Sequence, residues 1–391
     1  MFREDFEILK TGTIHFDNAA TTLKPRCIEE AFLDYVRKHT SNIHRGDYQN
    51  SIISNNKYEE LKALCGDYLG VKPDTLAFTS GATHGLNQVI LGYYRYKLKK
   101  GDKVLISSLE HASNFVPWLI LKEEIGIELV KAPVKDLKLD IDSIDFSELK
   151  VISLAHVTNT TGEKRDLEKL SKLASNYNID IVIDGAQGFS KERINLEKLN
   201  AAFYVNSFHK AYGPTGLGIL YKRSDIKGMK PLIYGGGMND TFDFDGFSLK
   251  DYPYNIEAGT LNVSAIYEAL ISMQYLISKD IKKLYDYSSS LKDYLVHKLE
   301  AFPNIIIYNK DIHGSILLFN VKGVFPQDVA IFLDKYHINI RSGNHCVKTI
   351  NEEIDTRNTC RISLDFYNTK EEIDALTEAF KNLDKLYEIV I

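Results

Sequence analysis

Seven short apolar segments recur in the first part of the chain, and helical stretches separate them. The segments have the length and composition of buried strands and span residues 76–79, 103–107, 127–132, 151–155, 179–183, 202–206 and 217–221. The stretch Glu163–Tyr177 is typical of the intervening helices. Strands that alternate with helices form mostly parallel sheets with crossover helices. The sequence therefore predicts an α/β fold whose large domain contains a mostly parallel seven-stranded sheet.

The pattern changes after Gly259. A long helical stretch follows, with an apolar stripe that consists of Ile281, Leu284, Leu291, Leu295 and Leu299. Strand-like segments at 315–320, 338–341 and 360–364 then alternate with helices. A chain of 391 residues with 44% hydrophobic content can bury one large core and a smaller one. We predict a large domain over residues 13–260 and a small C-terminal α/β domain over residues 261–391, which also includes residues 1–12.

Charge and cysteine content exclude several functional classes. The formal net charge is −5 and no basic run occurs, so we expect no nucleic-acid or membrane partner. The amino terminus carries acidic residues where a signal peptide needs an apolar core, and no apolar stretch approaches the roughly 18 residues of a membrane span. The four cysteines lie far apart without Cys-x-x-Cys spacing. These features predict a cytoplasmic protein without a structural disulfide or a metal site.

Polar side chains follow two neighbouring predicted strands. Asp184 ends the strand at 179–183, and Ser207, His209 and Lys210 follow the strand at 202–206. The carboxyl ends of parallel strands are where open α/β sheets bind ligands. Pyridoxal phosphate requires an amine for its aldehyde and an anion for its ring nitrogen, and these residues supply both. Gln187 follows closely and can contact the ring phenolate oxygen.

Two further strand ends complete this pattern. Ser80-Gly81-Ala82-Thr83 follows the strand at 76–79 and opens a helix, whose free amides and positive end suit a phosphate. His111 follows the strand at 103–107 and can stack on a pyridine ring. Taken singly, each residue has a more common role, with Lys210 as a surface charge, Asp184 as a turn residue and His111 as a structural histidine. Their convergence on one sheet edge favours a cofactor site.

The chain resembles the class V aminotransferase group of fold-type-I pyridoxal phosphate enzymes, and within it the cysteine desulfurase and selenocysteine lyase family. The matching motifs agree in order and spacing and occupy residues 16–22, 43–46, 80–83, 110–111, 156–159, 184–187, 209–210, 257–260, 341–346 and 360–363. The resemblance covers nearly the whole chain. It departs at Phe208, where glycine is usual, and at Asn344 and Val347-Lys348, which predicts that the thiol loop (residues 344–348) differs more than the cofactor pocket.

The resemblance implies a role for each motif. Lys210 would bind the cofactor covalently, Asp184 and Gln187 would contact its ring nitrogen and phenolate oxygen, and His111 would stack on the ring. The residues implied for the phosphate are Ala82, Thr83, Ser207 and His209, with Thr260 from the second subunit of a homodimer. Asn159 would lie beside both cofactor and substrate. Arg361, assisted by Arg341, would bind the substrate carboxylate, and Cys346 would take the sulfur.

The reaction expected from the resemblance converts L-cysteine to L-alanine and leaves a persulfide on Cys346, which passes to an acceptor protein, as in iron–sulfur cluster assembly. Only a thiolate attacks sulfur well, and Arg341, His345 and Arg361 are expected to supply positive charge around the thiol. Lys210 and His111 are the expected proton carriers. The alternatives are another class V reaction (selenocysteine lysis, transamination or epimerisation), with Cys346 incidental, or a non-enzymatic scaffold.

Overall fold

The computed structural model describes residues 2–44, 46–383 and 386, so Arg45 of the 43–46 motif lies outside the described residues. The α-helices are α1 Arg26–Asp34, α2 Gln49–Leu69, α3 Ala82–Gly92, α4 Ala112–Ile125, α5 Leu167–Ser175, α6 Val263–Ile277, α7 Ile281–Leu299, α8 Pro326–Asp334 and α9 Lys370–Phe380. The strands are β1 Ile14–His15, β2 Leu76–Thr79, β3 Lys103–Ile106, β4 Glu128–Lys131, β5 Val134–Lys135, β6 Lys138–Leu139, β7 Leu149–Ala155, β8 Asp180–Asp184, β9 Phe203–Val205, β10 Gly218–Lys222, β11 Asn239–Phe242, β12 Phe247–Leu249, β13 Ile305–Ile307, β14 Ile316–Val321, β15 Ile338–Asn339, β16 Arg341–Gly343 and β17 Thr359–Ser363.

The predicted seven-stranded sheet is confirmed. Its strand order is β2-β10-β9-β8-β7-β3-β4, and all neighbours are parallel except β10, which runs antiparallel to both β2 and β9. The chain returns from β9 to β10 without a crossover helix, so these two strands pair antiparallel. The connection contains a 3₁₀ turn, Phe208–Lys210. The reversal therefore places Lys210 at the carboxyl end of β9, beside β8.

Helix α5 begins later than the sequence pattern predicts. It starts at Leu167, with the Asp166 side chain accepting the Lys169 N–H as an N-cap. Glu163 and Arg165, expected inside the helix, are instead buried in ion pairs, where Arg165 also binds Glu110. Satisfying these buried charges outweighs the helical periodicity of the segment.

A second sheet forms in the C-terminal part of the chain, with antiparallel order β13-β14-β17-β16. An apolar cluster beneath it includes Leu295, Phe332 and Leu376 of three helices. The predicted strand at 338–341 is two strands, because β15 pairs with β1 while β16 pairs with β17. The long helical stretch is likewise two helices, α6 and α7, and Asp280 caps the second.

The amino-terminal residues contact both parts of the fold. Phe6 and Leu9 belong to the apolar cluster on one face of the main sheet, whereas β1 pairs with β15 and Phe16 packs beneath the C-terminal sheet. The division at residues 260 and 261 stays a prediction. None of the helices in the described ranges is long and apolar enough to cross a membrane.

Candidate active site

A cavity of about 220 Å³ lies at the carboxyl ends of the main-sheet strands, and the C-terminal sheet contributes to its wall. The predicted residues that line it are Ala82, Thr83, His111, Asn159, Asp184, Gln187, Ser207, His209, Lys210, Arg341 and Arg361. Thr260 is not among them, because it is exposed on the surface with its hydroxyl 3.4 Å from the Asn42 amide. The cavity thus unites all but two of the predicted site residues, the exceptions being Thr260 and the exposed Cys346.

Lys210 and Asp184 line the same cavity, and the charge of each affects the pKa of the other. Burial lowers the pKa of the Lys210 amine, and the negative charge of Asp184 opposes that shift. Burial raises the pKa of the Asp184 carboxyl, and the Ala186 N–H, which donates to Oδ1 at 2.9 Å, opposes this. A lysine whose neutral form is favoured is a better nucleophile toward an aldehyde.

His111 is held as a neutral imidazole. Burial and the positive charges of Lys210, Arg341 and Arg361 lower the pKa of His111 to about 4. Its Nδ1 accepts the Ser113 N–H at 3.1 Å and caps helix α4. Because Nδ1 is an acceptor, the ring proton resides on Nε2. The imidazole is therefore uncharged near neutral pH and has one N–H free to donate.

The start of helix α3 is the candidate phosphate site, called the anion cradle below. The Ala82 N–H donates to Ser207 Oγ at 2.7 Å, and Thr83 Oγ1 lies 2.7 Å from Ser113 Oγ. Gly81 precedes the helix with a φ of 142°, which an L side chain rarely adopts. A Cβ on Gly218 of β10 would lie 2.7 Å from the Gly81 Cα. These glycines allow the turn, the helix amides and the Ser207 hydroxyl to meet at one point.

Arg361 is buried and only partly paired. Its Nη2 forms an ion pair with Asp17 at 2.7 Å, and its Nη1 donates to the Asn159 carbonyl at 2.9 Å. Its Nε has no hydrogen-bond partner. The Arg361 side chain lines the cavity, and the planar fork of a guanidinium is suited to binding a carboxylate.

The thiol loop is docked onto the main-sheet side of the cavity. The Ala112 N–H donates to the Cys346 carbonyl at 2.8 Å, and the Asn159 amide donates to the His345 carbonyl at 2.8 Å. Val347 is buried in an apolar cluster with Leu109. Val347, one of the departures from the family pattern, therefore holds the thiol loop in place through apolar contacts.

Cys346 itself is exposed, and the Arg341 Nη2 lies 3.9 Å from its sulfur. His345 and Cys346 both have left-handed backbone, with φ of 52° and 60°. Such a conformation costs about 1–2 kcal/mol per residue.

His345 does not supply positive charge to the thiol, so that expectation is wrong. Burial, followed by the positive charge of Arg361, lowers the pKa of His345 to about 3, and its Nε2 bonds the Thr359 hydroxyl at 2.9 Å. The cation beside the sulfur is Arg341. Phe208, the other departure from the family pattern, points into the core, where its ring packs edge-on against Phe189, and is absent from the cavity wall.

Sequence reasoning assigned no role to three residues that the structure places at the site. Asp17 pairs with Arg361, Ser113 bonds both His111 and Thr83, and the Ala19 carbonyl accepts the Gln187 amide at 2.6 Å. Asp17 and Ala19 lie in the 16–22 motif, so the motif was the available signal. The contacts of Asp17 and Ala19 with Arg361 and Gln187 depend on tertiary structure, whereas the bond between Ser113 and His111 is a local helix cap.

The cavity fits pyridoxal phosphate on the chemistry of its donors. It offers one buried amine, one buried carboxylate at a strand end, a neutral imidazole and an anion cradle at a helix terminus. These are the groups that the aldehyde, the ring nitrogen, the ring face and the phosphate require. Lys210, Asp184 and His111 would hold the ring, and the turn at Ala82–Thr83 with Ser207 would hold the phosphate.

Comparison with known proteins agrees with this chemistry. The family model for class V aminotransferases matches residues 14–376. A cysteine desulfurase of Wigglesworthia glossinidia brevipalpis is 35% identical, over 98% of this chain and 97% of the relative. The cysteine desulfurase CsdA of Escherichia coli is 31% identical, over 100% of this chain and 98% of the relative.

Solved structures give the same result. The apo cysteine desulfurase of Thermococcus onnurineus NA1 superposes with a TM-score of 0.93 at 31% identity, over 98% of this chain and 97% of that one. The crystal structure of E. coli CsdA gives a TM-score of 0.91 at 31% identity, over 100% and 98% of the two chains. The fold is that of fold-type-I pyridoxal phosphate enzymes, and the cofactor of this protein is pyridoxal 5′-phosphate. The chain belongs to the class V aminotransferase family and, within it, to the group of the cysteine desulfurases.

Proposed function

We propose that this protein is a pyridoxal phosphate-dependent cysteine desulfurase that converts L-cysteine to L-alanine and collects the sulfur on Cys346. The observation that carries the proposal is the position of Cys346. It lies on a loop that is docked against the start of helix α4, and this helix begins directly after His111. The Arg341 guanidinium lies 3.9 Å from its sulfur. An exposed thiol beside a cation, next to a cavity that contains Lys210, is suited to sulfur transfer.

Substrate binding is assigned to the arginines of the C-terminal sheet. Arg361 on β17 has a free Nε–H, while Asp17 and the Asn159 carbonyl fix its other nitrogens. Arg341 on β16 pairs in register with Arg361 across the sheet. The two guanidinium groups line the same cavity as Lys210. An α-carboxylate bound at Arg361 would leave the amino group and the sulfur of the substrate free to face the main sheet.

Proton handling is assigned to Lys210 and His111. The lowered pKa of Lys210 makes its amine able to accept the α-proton of the substrate, and the Nε2–H of His111 can donate. The bound cofactor supplies an electron sink for the carbon that loses this proton. Asp184 is placed to keep the ring nitrogen protonated, on which the strength of that sink depends.

The sulfur step conserves atoms and electrons. The Cys346 thiolate attacks the substrate sulfur, a sulfur–sulfur bond forms, and the carbon–sulfur bond breaks with its electron pair remaining on carbon. That carbon takes up a proton, the α-carbon regains the proton that it lost to Lys210, and L-alanine is complete, while Cys346 carries the extra sulfur as a persulfide. The thiol is oxidised and the former substrate carbon is reduced, so no external oxidant is needed.

The test is incubation with L-cysteine and measurement of alanine against sulfide plus protein-bound persulfide. Equal amounts of the two are expected. Cys346→Ala should retain the cofactor absorbance and lose both products, and Cys27→Ala is the matched control because Cys27 lies on α1 outside the cavity. Formation of a keto acid, or full desulfuration by Cys346→Ala, would contradict the proposal. Selenocysteine in place of cysteine tests the related lyase reaction.

We further propose that the protein acts as a homodimer in the cytoplasm and passes its sulfur to an acceptor protein, with iron–sulfur cluster assembly as one use. Two exposed features support a dimer. The hairpin β11–β12 carries the exposed rings of Phe242, Phe244 and Phe247, and Thr260 is exposed and absent from the wall of its own cavity. Subunit exchange between Lys210→Ala and Thr260→Ala proteins tests this, since a mixed dimer should contain one intact site.

A further inference from the structure

Asp365 is a buried carboxylate that the proposed reaction does not use. It follows β17 and has no exposed surface. Its Oδ1 accepts the Tyr212 hydroxyl at 2.9 Å and the Phe366 N–H at 2.8 Å, and its Oδ2 pairs with the Lys191 ammonium at 2.7 Å. These three donors stabilise the buried charge of Asp365, because an unpaired buried charge is strongly destabilising.

The partners of Asp365 come from the two segments that carry cofactor residues. Tyr212 stands two positions after Lys210, has a φ of 61°, and donates its N–H to Thr22 Oγ1 at 2.8 Å. Lys191 stands four positions after Gln187 and next to Ser190, whose hydroxyl donates to the Lys210 carbonyl at 3.0 Å. Asp365 is therefore linked to the turn Phe208–Lys210 through Tyr212 on one side and through Lys191 and its neighbour Ser190 on the other.

Asp365 also stands four positions after Arg361 on the same chain segment. The end of β17 is fixed by the Ser363 N–H, which donates to the Phe16 carbonyl at 2.7 Å. Because Asp365 lies two residues beyond this end of β17, a displacement of Asp365 would strain the strand that carries Arg361. Lys210 lies in the turn after β9 of the main sheet, whereas Arg361 lies on β17 of the C-terminal sheet, and within the described ranges no strand pairing joins these two sheets.

We propose that Asp365 is a positioning residue that sets the distance between Lys210 and Arg361, acting through Tyr212 and Lys191. An amino-acid substrate must place its carboxylate at one of these residues and its amino group near the other, so a small error in their separation weakens binding. The inference rests on the proposed function only in taking Arg361 as the carboxylate site.

The test uses the holoenzyme and three variants. Tyr212→Phe removes one hydroxyl and keeps the ring, and Asp365→Asn turns an amide N–H toward the Lys191 ammonium. Both should raise the KM for L-cysteine and the Kd for L-alanine, read from the change in cofactor absorbance, by roughly ten-fold. The control is Lys292→Met, which removes another buried ammonium, one that donates to the Asn309 carbonyl in the C-terminal part.

Lys292→Met should lower the Tm without changing KM or the L-alanine Kd. If Asp365→Asn does not fold, Tyr212→Phe carries the test. The proposal is overturned if the folded variants bind L-alanine as the wild type does, or if Lys292→Met weakens binding equally. L-alanine binding needs no sulfur chemistry, so a wild type that binds L-alanine but forms none from L-cysteine would refute the proposed function and leave this inference intact.

Discussion

His111 illustrates how position alone decides the charge of a side chain. An exposed imidazole is partly protonated near neutral pH, but burial and three neighbouring cations lower the pKa of His111 to about 4. The sequence indicates the residue through its place after a strand. Its protonation state depends on burial and on the charges of Lys210, which follows β9, and of Arg341 and Arg361, which lie on β16 and β17.

We expect His111 to titrate near pH 4 in the folded protein, compared with about 6.5 when unfolded. Because the folded pKa is the lower one, the stability that neutral His111 contributes is complete above about pH 6.5 and is lost as the pH falls toward 4. The measurement is NMR of labelled imidazoles, with His111→Gln identifying the signal. A titration near pH 6.5 in the native protein would contradict this reading of the site.

Gly218 governs an element contact, the approach of β10 to the turn before α3. A Cβ there would lie 2.3 Å from the Asn206 carbonyl oxygen and 2.7 Å from the Gly81 Cα, and both of these are backbone atoms. Gly218→Ala should therefore displace the phosphate turn and weaken cofactor binding by roughly ten-fold or more. Equilibrium dialysis against the cofactor measures this. Gly323→Asn, in the turn after β14, tolerates the positive φ of 76° and has no atom within 4 Å of the new Cβ, so it should leave affinity unchanged.

The last long helix depends on its cap. Thr369 accepts the Glu372 N–H, and the Glu372 side chain accepts the Thr369 N–H, forming a capping box at the start of α9. Thr369→Ala should lower the free energy of unfolding by about 1 kcal/mol. Urea unfolding measures the change, and Glu378→Ala, on the exposed side of the same helix, should shift stability by less than about 0.5 kcal/mol. Equal effects of the two would exclude a special role for the cap.

The sequence predicted the positions of the strands better than it predicted how they pair. The inner strands of the main sheet are largely apolar because both faces of the sheet are covered, whereas the edge strand β4 has Glu128 and Lys131 exposed at its ends. Segment 338–341 looked like one strand, yet β15 and β16 pair with different partners on either side of Ile340. The local pattern indicates burial but not the pairing partner, because β15 pairs with β1, more than 300 positions away, while β16 pairs with β17, about 20 positions away.

The whole molecule should be stabilised by its cofactor, since the site is assembled from both sheets. A ligand that binds only the folded state adds about 2.7 kcal/mol at a free concentration of one hundred times its Kd. Removal of the cofactor should therefore lower the Tm by several degrees, and addition should restore it, as measured by calorimetry. Lys210→Ala should show a smaller restoration. A Tm that does not respond to the cofactor would contradict the assignment of the cavity.

The sequence by itself determined the α/β fold and the cofactor side of the site, because Asp184, Lys210, His111 and the turn at Ala82 each follow an apolar strand, and parallel strands bring their carboxyl ends to one edge. Only the tertiary structure decided the neutral state of His345, the pairing of Arg361 with Asp17, and the link from Asp365 to Tyr212. The physical reason is that charge and hydrogen bonding inside a protein depend on which distant residues share a buried space. Local periodicity carries no information about those contacts.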